Sequence, residues 1–150
     1  MLRLVNTKTL ALTVLVLLWT AAAPAQNVRP VRCKNQVING GMYADVTVSG
    51  GSCTLNGVTV FGSVLVSSGG ALTVQGGTVN GSIQVNSGGN ITLSGATVLG
   101  GVILEQSGNL SVKSGSTLAN ISMKNSGQLT IESSAVTDVL STESKNITVT

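Results

Sequence analysis

The sequence predicts an all-β fold, a single right-handed parallel β-solenoid of about five to six coils, each of 19 residues with three short strands. Three observations carry this prediction. One short pattern restarts six times: its first apolar residues, Cys53, Leu72, Ile91, Leu110, Leu129 and Ile147, are separated by 19, 19, 19, 19 and 18 residues. Within each copy the apolar residues come in pairs two apart, the period of a strand with one buried face, and glycine-rich or Asn-Gly turns separate the pairs. With one Trp, one Tyr and one Phe in 150 residues, the chain lacks the bulky side chains of a wide core. Small aliphatic residues stacked coil on coil make a thin core instead. The right hand follows from the near-universal sense of crossovers between parallel strands.

Residues 1–25 read as a secretory signal peptide. Arg3 and Lys8 form a basic head, Leu10 to Trp19 an apolar run broken only by Thr13, and Ala23-Pro24-Ala25 a small-x-small cleavage site before Gln26. The run is shorter than the roughly 20 residues that span a bilayer, so no membrane span is expected and the mature chain is expected outside the cell. Removing this segment leaves six basic residues (Arg29, Arg32, Lys34, Lys113, Lys124, Lys145) against five acidic ones (Asp45, Glu105, Glu132, Asp138, Glu143), a net charge of +1. A charge so near zero, with three of the six cations crowded into Arg29 to Lys34, gives no footprint for nucleic acid.

Residues 26–34 read as a cap segment on the amino end, and residues 35–150 as the solenoid. A lead-in half turn is expected from Val37, Met42, Val46 and Val48, which match Leu55, Val60, Val64 and Val66 at a spacing of 18. The first full copy follows with Cys53, Leu55, Val60, Val64 and Val66. The next places Leu72, Val74, Val79, Ile83 and Val85 at the same offsets, and the third Ile91, Leu93, Val98, Val102 and Leu104, with turns at Gly69-Gly70, Gly76-Gly77 and Asn80-Gly81. The fourth copy has lost a glycine at Ser107-Gly108-Asn109, gains a residue around Lys113 and recovers register between Leu118 and Ile121. The fifth carries Ser133-Ser134, Asp138 and Thr142 at positions that were Gly or apolar before. The sixth is one strand, Asn146 to Thr150.

Two cysteines in a secreted chain favour a disulfide, and Cys33 lies one coil above Cys53. Outward positions are dominated by hydroxyls. Thr54, Thr73, Thr92, Ser111, Thr130 and Thr148 form one column along the whole repeat, and Thr59, Thr78, Thr97 and Ser116 a second that fades at Ala135. Threonine is a good strand residue at a solvated position, and a Thr column is equally a candidate binding face. No charged residue occurs from Val46 to Leu104, and Leu65 and Ile103 are expected to point outward, so little keeps copies of the chain apart.

Catalysis and cofactors are not expected. The chain has no His, and of its five carboxylates only Asp138 and Glu143 lie close in sequence. Two Cys without His or paired acids do not form a metal site, and no helix or Lys follows the glycine pairs as phosphate binding requires. Five N-x-S/T triplets, at Asn80, Asn90, Asn109, Asn120 and Asn146, are glycosylation acceptors in a eukaryotic secretory pathway. Asn in turns before Thr or Ser in strands also generates such triplets by composition.

The stretches Gly69-Gly70-Ala71-Leu72-Thr73-Val74 and Gly77-Thr78-Val79-Asn80-Gly81-Ser82-Ile83-Gln84-Val85 resemble repeats of autotransporter passengers and other secreted adhesin β-helices, and more distantly bactofilins. It departs from the first in having no membrane barrel segment and from the last in its signal peptide. The Thr column resembles the arrays that ice-binding solenoids present, although no T-x-T doublet repeats and Lys113 and Glu132 share its face. The resemblances imply a structural, adhesive or polymer-forming role, with ice or polysaccharide binding as the alternative and no catalytic residue to carry over. A solenoid must also hide its terminal strand edges, and Ile147-Thr148-Val149-Thr150 keeps its apolar alternation instead of interrupting it. A second copy of the chain is therefore the expected partner, through the coil ends or the uncharged wall.

Overall fold

A computed structural model describes residues 28–143 and 145–150. The proposed signal peptide and the first two residues of the expected cap lie outside the described residues.

The chain winds as a parallel β-solenoid of about six turns with no helix among the described residues. The first coil holds β1 (Val31–Cys33), β2 (Gln36–Asn39) and β3 (Met42–Tyr43), and the second β4 (Val46–Ser49), β5 (Ser52–Asn56) and β6 (Thr59–Val60). The third holds β7 (Val64–Ser67), β8 (Ala71–Gln75) and β9 (Thr78–Val79), and the fourth β10 (Ile83–Asn86), β11 (Ile91–Ser94) and β12 (Thr97–Val98). Then follow β13 (Val102–Glu105), β14 (Leu110–Lys113), β15 (Thr117–Lys124), β16 (Gln128–Ile131), β17 (Ala135–Thr142) and β18 (Asn146–Val149).

Three walls result. Wall A is a seven-stranded sheet in the order β2-β5-β8-β11-β14-β16-β18. Walls B (β1, β4, β7, β10, β13) and C (β3, β6, β9, β12) are edges apart until β15 joins them into one sheet, with β17 pairing β15. The join has a sequence cause. Between Val98 and Val102 the corner holds Leu99-Gly100-Gly101, whereas between Leu118 and Ile121 it holds only Ala119-Asn120, so the strand runs straight through. This is the shortening that restores register after the insertion.

The core is the predicted one. Val79 stacks between Val60 and Val98, and Ile83 and Val85 between Val64, Val66 and Val102, Leu104, all essentially inaccessible. Each such side chain contributes about 1.5–3 kcal/mol of burial. Successive coils lie close at the corner before wall A, where Gly89 follows Gly70 and a Cβ on Gly89 would run into the Gly70 carbonyl oxygen.

Several expectations need correction. Val46 and Val48 pair with Val64 and Val66 at the expected 18, but β2 and β3 register one residue shorter: Ile38 pairs with Leu55 and Tyr43 with Val60. Ile38 and Tyr43 therefore pack on the core, while Val37 and Met42 point out, 59% and 50% exposed. Spacing by apolar character failed because both coil positions offered two adjacent apolar residues.

In the second hydroxyl column Thr117, not Ser116, follows Thr97. The extra residue sits within Ser114 to Ser116, and Ser116 turns inward. There its buried hydroxyl accepts from the Ala96 N–H (3.2 Å) and donates to the Lys113 carbonyl (2.8 Å). In the fifth copy Thr142 pairs with Lys124, so Ser141 takes the place of Met123. The glycine loss in the fourth copy is compensated rather than disruptive. Ser107 is buried with its hydroxyl donating to the Val85 and Glu105 carbonyls (both 3.1 Å), and Ser126 repeats the arrangement on Leu104 and Lys124.

Candidate functional surface

Wall A presents the hydroxyl column. Thr54, Thr73, Thr92, Ser111, Thr130 and Thr148 are strand partners in sequence, without a slip across six coils, and Val37 heads the column. All but the exposed Thr148 are half-buried, because at about 4.8 Å spacing each side chain covers the next. Beside it runs a second outward column of Asn39, Asn56, Gln75, Ser94 and Lys113, in which Asn56 donates its amide to Asn39 Oδ1 at 3.0 Å. The corrected second hydroxyl column, Thr59, Thr78, Thr97 and Thr117, lies on wall C, so the two Thr arrays face different directions.

Wall B carries Thr47, Leu65, Gln84, Ile103, Ser122 and Leu140 outward. Leu65 is exposed as expected, Ile103 half-buried. Phe61 and Leu99 stand exposed on the corner between walls B and C, an apolar pair that the repeat pattern passed over because neither occupies a strand. The signal was present in sequence: both follow the inward Val of a Thr-Val pair. Along the corner between walls B and A, an open groove of ≈ 400 Å³ is lined by Asn86, Ser87, Glu105, Gln106, Lys124 and Asn125. Ser87, Gln106 and Asn125 there adopt left-handed backbone (φ 67, 50 and 48).

The five Asn of the N-x-S/T triplets are all exposed. Two have structural work: Asn90 Oδ1 accepts from the Asn109 N–H at 2.9 Å, and Asn109 Oδ1 from the Gln128 N–H at 2.8 Å. They extend a corner ladder that Asn35 begins by accepting from Ser52.

Cys33 and Cys53 lie at disulfide distance, Cα to Cα 5.6 Å, both buried. They are not neighbours on one wall. Cys33, the last residue of β1, pairs in register with Val48 on wall B, and Cys53, near the start of β5, with Gln36 on wall A, so the pair spans the corner between the two walls. Arg32 and Lys34 flank Cys33 within and just beyond β1, the first strand of wall B.

No family model, curated protein or solved structure matches the chain. Among the described residues no three His, Cys, Asp or Glu side chains converge, and no helix is long and apolar enough to cross a membrane.

The two end layers differ from the middle. β18 pairs only with β16, and its core-phase residues Ile147 and Val149 are 49% and 67% exposed, against full burial of Leu129 above Ile147. Val136 and Val139 of β17 are half-buried for the same reason.

Proposed function

We propose that this chain is a secreted, non-enzymatic structural or adhesive β-solenoid that assembles with copies of itself. The observation that carries the reading is the one-sided pairing of β18 with its exposed Ile147 and Val149. A strand edge in open register with apolar side chains in core phase is a template for another strand. The uncharged stretch from Val46 to Leu104 removes the repulsion that ordinarily keeps such edges apart. Secretion is supported by the composition of residues 1–25 and by two cysteines at disulfide distance. The adhesin-like and autotransporter-like character of the repeats points the same way, and a chain with no His and five carboxylates scattered along its sequence favours a non-enzymatic role.

Sedimentation across the micromolar range and electron microscopy test this. Assembly that grows with concentration is expected, and Val149→Lys lowers the apparent mass. A strictly monomeric wild-type protein over that range refutes it.

The in-register hydroxyl column of wall A favours a second reading, recognition of ice or of a polysaccharide by regularly spaced hydroxyl and methyl groups. Thermal hysteresis and crystal shaping, lost on Thr92→Lys, distinguish that reading from a scaffold.

A further inference from the structure

Resting on the self-association reading, we propose that the copies join head to tail, with the first coil of one continuing the last coil of another, and so form a polar filament. Two independent features fix the direction.

The first is the phase of the winding. The path visits the walls in the order C, B, A. Before β1, the Arg29 carbonyl accepts the Ala44 N–H at 3.1 Å, and Val31 pairs with Val46. Counting back from Val31 sets Val28, half-buried, against Tyr43 on wall C. The described strands therefore open with β1 on wall B, preceded by Val28 and Arg29 on the wall C side of that corner, and close with β18 on wall A, and wall C is the one that follows A. A second copy placed after β18 supplies the next strand with no wall skipped or doubled. In continuous register Val28 of the second copy covers Val136, Val31 covers Val139, and Ile38 covers Val149. Val31, Val136, Val139 and Ile38 are partly buried and Val149 exposed, so the joint covers apolar surface that either end alone leaves open, although the same register sets Gln36 over Ile147.

The second is charge. Arg29, Arg32 and Lys34 lie at the head, whereas Glu132, Asp138 and Glu143 lie in the last coil with only Lys145 against them. Head against head, or tail against tail, sets like charges together; head on tail sets opposites together. The same register places Arg29 over Thr137, next to Asp138, and Lys34 over Thr142, next to Glu143. Arg32 falls over the exposed Leu140, where its methylene stem covers the apolar side chain. Because the two joined surfaces differ, the contact does not close on itself and growth is open-ended. The seven strands of wall A at about 4.8 Å give an axial repeat of about 34 Å per copy.

Cysteine pairing across the joint tests this. Val37 and Thr148 are exposed, point outward from wall A, and face each other across the proposed joint. Val37→Cys and Thr148→Cys proteins, each verified to melt as wild type, are oxidised mildly alone and mixed, then run without reductant. A covalent dimer only in the mixture is expected, together with a ladder of multimers when one chain carries both substitutions. A dimer from Thr148→Cys alone shows tail-to-tail contact, and one from Val37→Cys alone head-to-head contact; either overturns the proposal. Assembly in sedimentation without a mixed dimer overturns the head-to-tail joint and leaves self-association standing. A monomeric wild type with no cross-link in any arm overturns both.

Discussion

Replacing Val79 with Asp puts a carboxylate where the third coil has no room for water. Val79 is 1% exposed and lies between Val60 and Val98 in strict register. The substitution forfeits about 1.5–3 kcal/mol of apolar burial and adds several kcal/mol for a buried, unpaired charge. A domain's whole stability is about 5–15 kcal/mol. A thin coil offers the carboxylate no second layer to retreat into, and a defect in the third coil weakens its contact with the coils on both sides. Loss of the folded state near neutral pH is expected. The introduced carboxyl, disfavoured in its charged form, has a folded-state pKa raised above its unfolded value. The penalty is thus complete above the folded pKa and recedes as pH falls towards the unfolded one. Val79→Ala is the graded companion: two methyl equivalents at about 0.8 kcal/mol each, plus a small cavity, lower the melting temperature by several degrees. Thr73→Asp, outward on wall A, is the control and shifts stability by about 0.5 kcal/mol or less. Circular dichroism melts of the three variants decide the matter. Equal melting of Val79→Asp and Thr73→Asp refutes the inward placement of Val79.

Alkylation of unreduced protein followed by mass spectrometry is expected to find no free thiol, and joint Cys33→Ser and Cys53→Ser substitution to cost about 3 kcal/mol, as closure of a 20-residue separation predicts; two modified thiols in the monomer count against the bond. Gly89→Ala destabilises more than Gly88→Ala in the same melts, because only the former drives a Cβ into the carbonyl oxygen of the coil above, while Gly88 faces open space at φ 75. Ser116→Ala leaves the Ala96 N–H without its side-chain acceptor and is expected to cost about 1–3 kcal/mol in chemical denaturation; an unchanged midpoint argues that the Ala96 N–H finds another partner.

The repeating core was readable because a solenoid copies one buried pattern many times, and Val60, Val79 and Val98 vote for the same inward slot. Register errors arose where the pattern had no copies to average over. Val37 and Ile38 are both apolar, and only strand pairing at the first coil decides that Ile38 turns in. Ser116 and Thr117 are both hydroxyl residues, and an inserted residue moved the outward slot by one while a buried hydrogen bond drew Ser116 inside. Ser107 and Ser126 looked like decay of a glycine turn, since sequence does not show that a serine hydroxyl can bond carbonyls of two successive coils. The closeness of the two cysteines was legible from their number and their spacing of about one coil, but their placement on different walls was not, because spacing along the chain does not say which wall a residue occupies. The outward Thr column was legible in full for the same reason as the core. What it touches is a property of a second molecule and leaves no periodic trace.

The pairing of Cys33 with Cys53 has a mechanical consequence. A solenoid pulled by its two ends yields like knitted yarn, one loop after another, each loop held by the ladder bonds to a single neighbour. A released loop of 19 residues lengthens the chain by about 6 nm, so extension proceeds in equal steps. With Cys33 and Cys53 oxidised, residues 33–53 are closed into one ring and withheld from that sequence, so the opening loop adds no length when the chain is pulled.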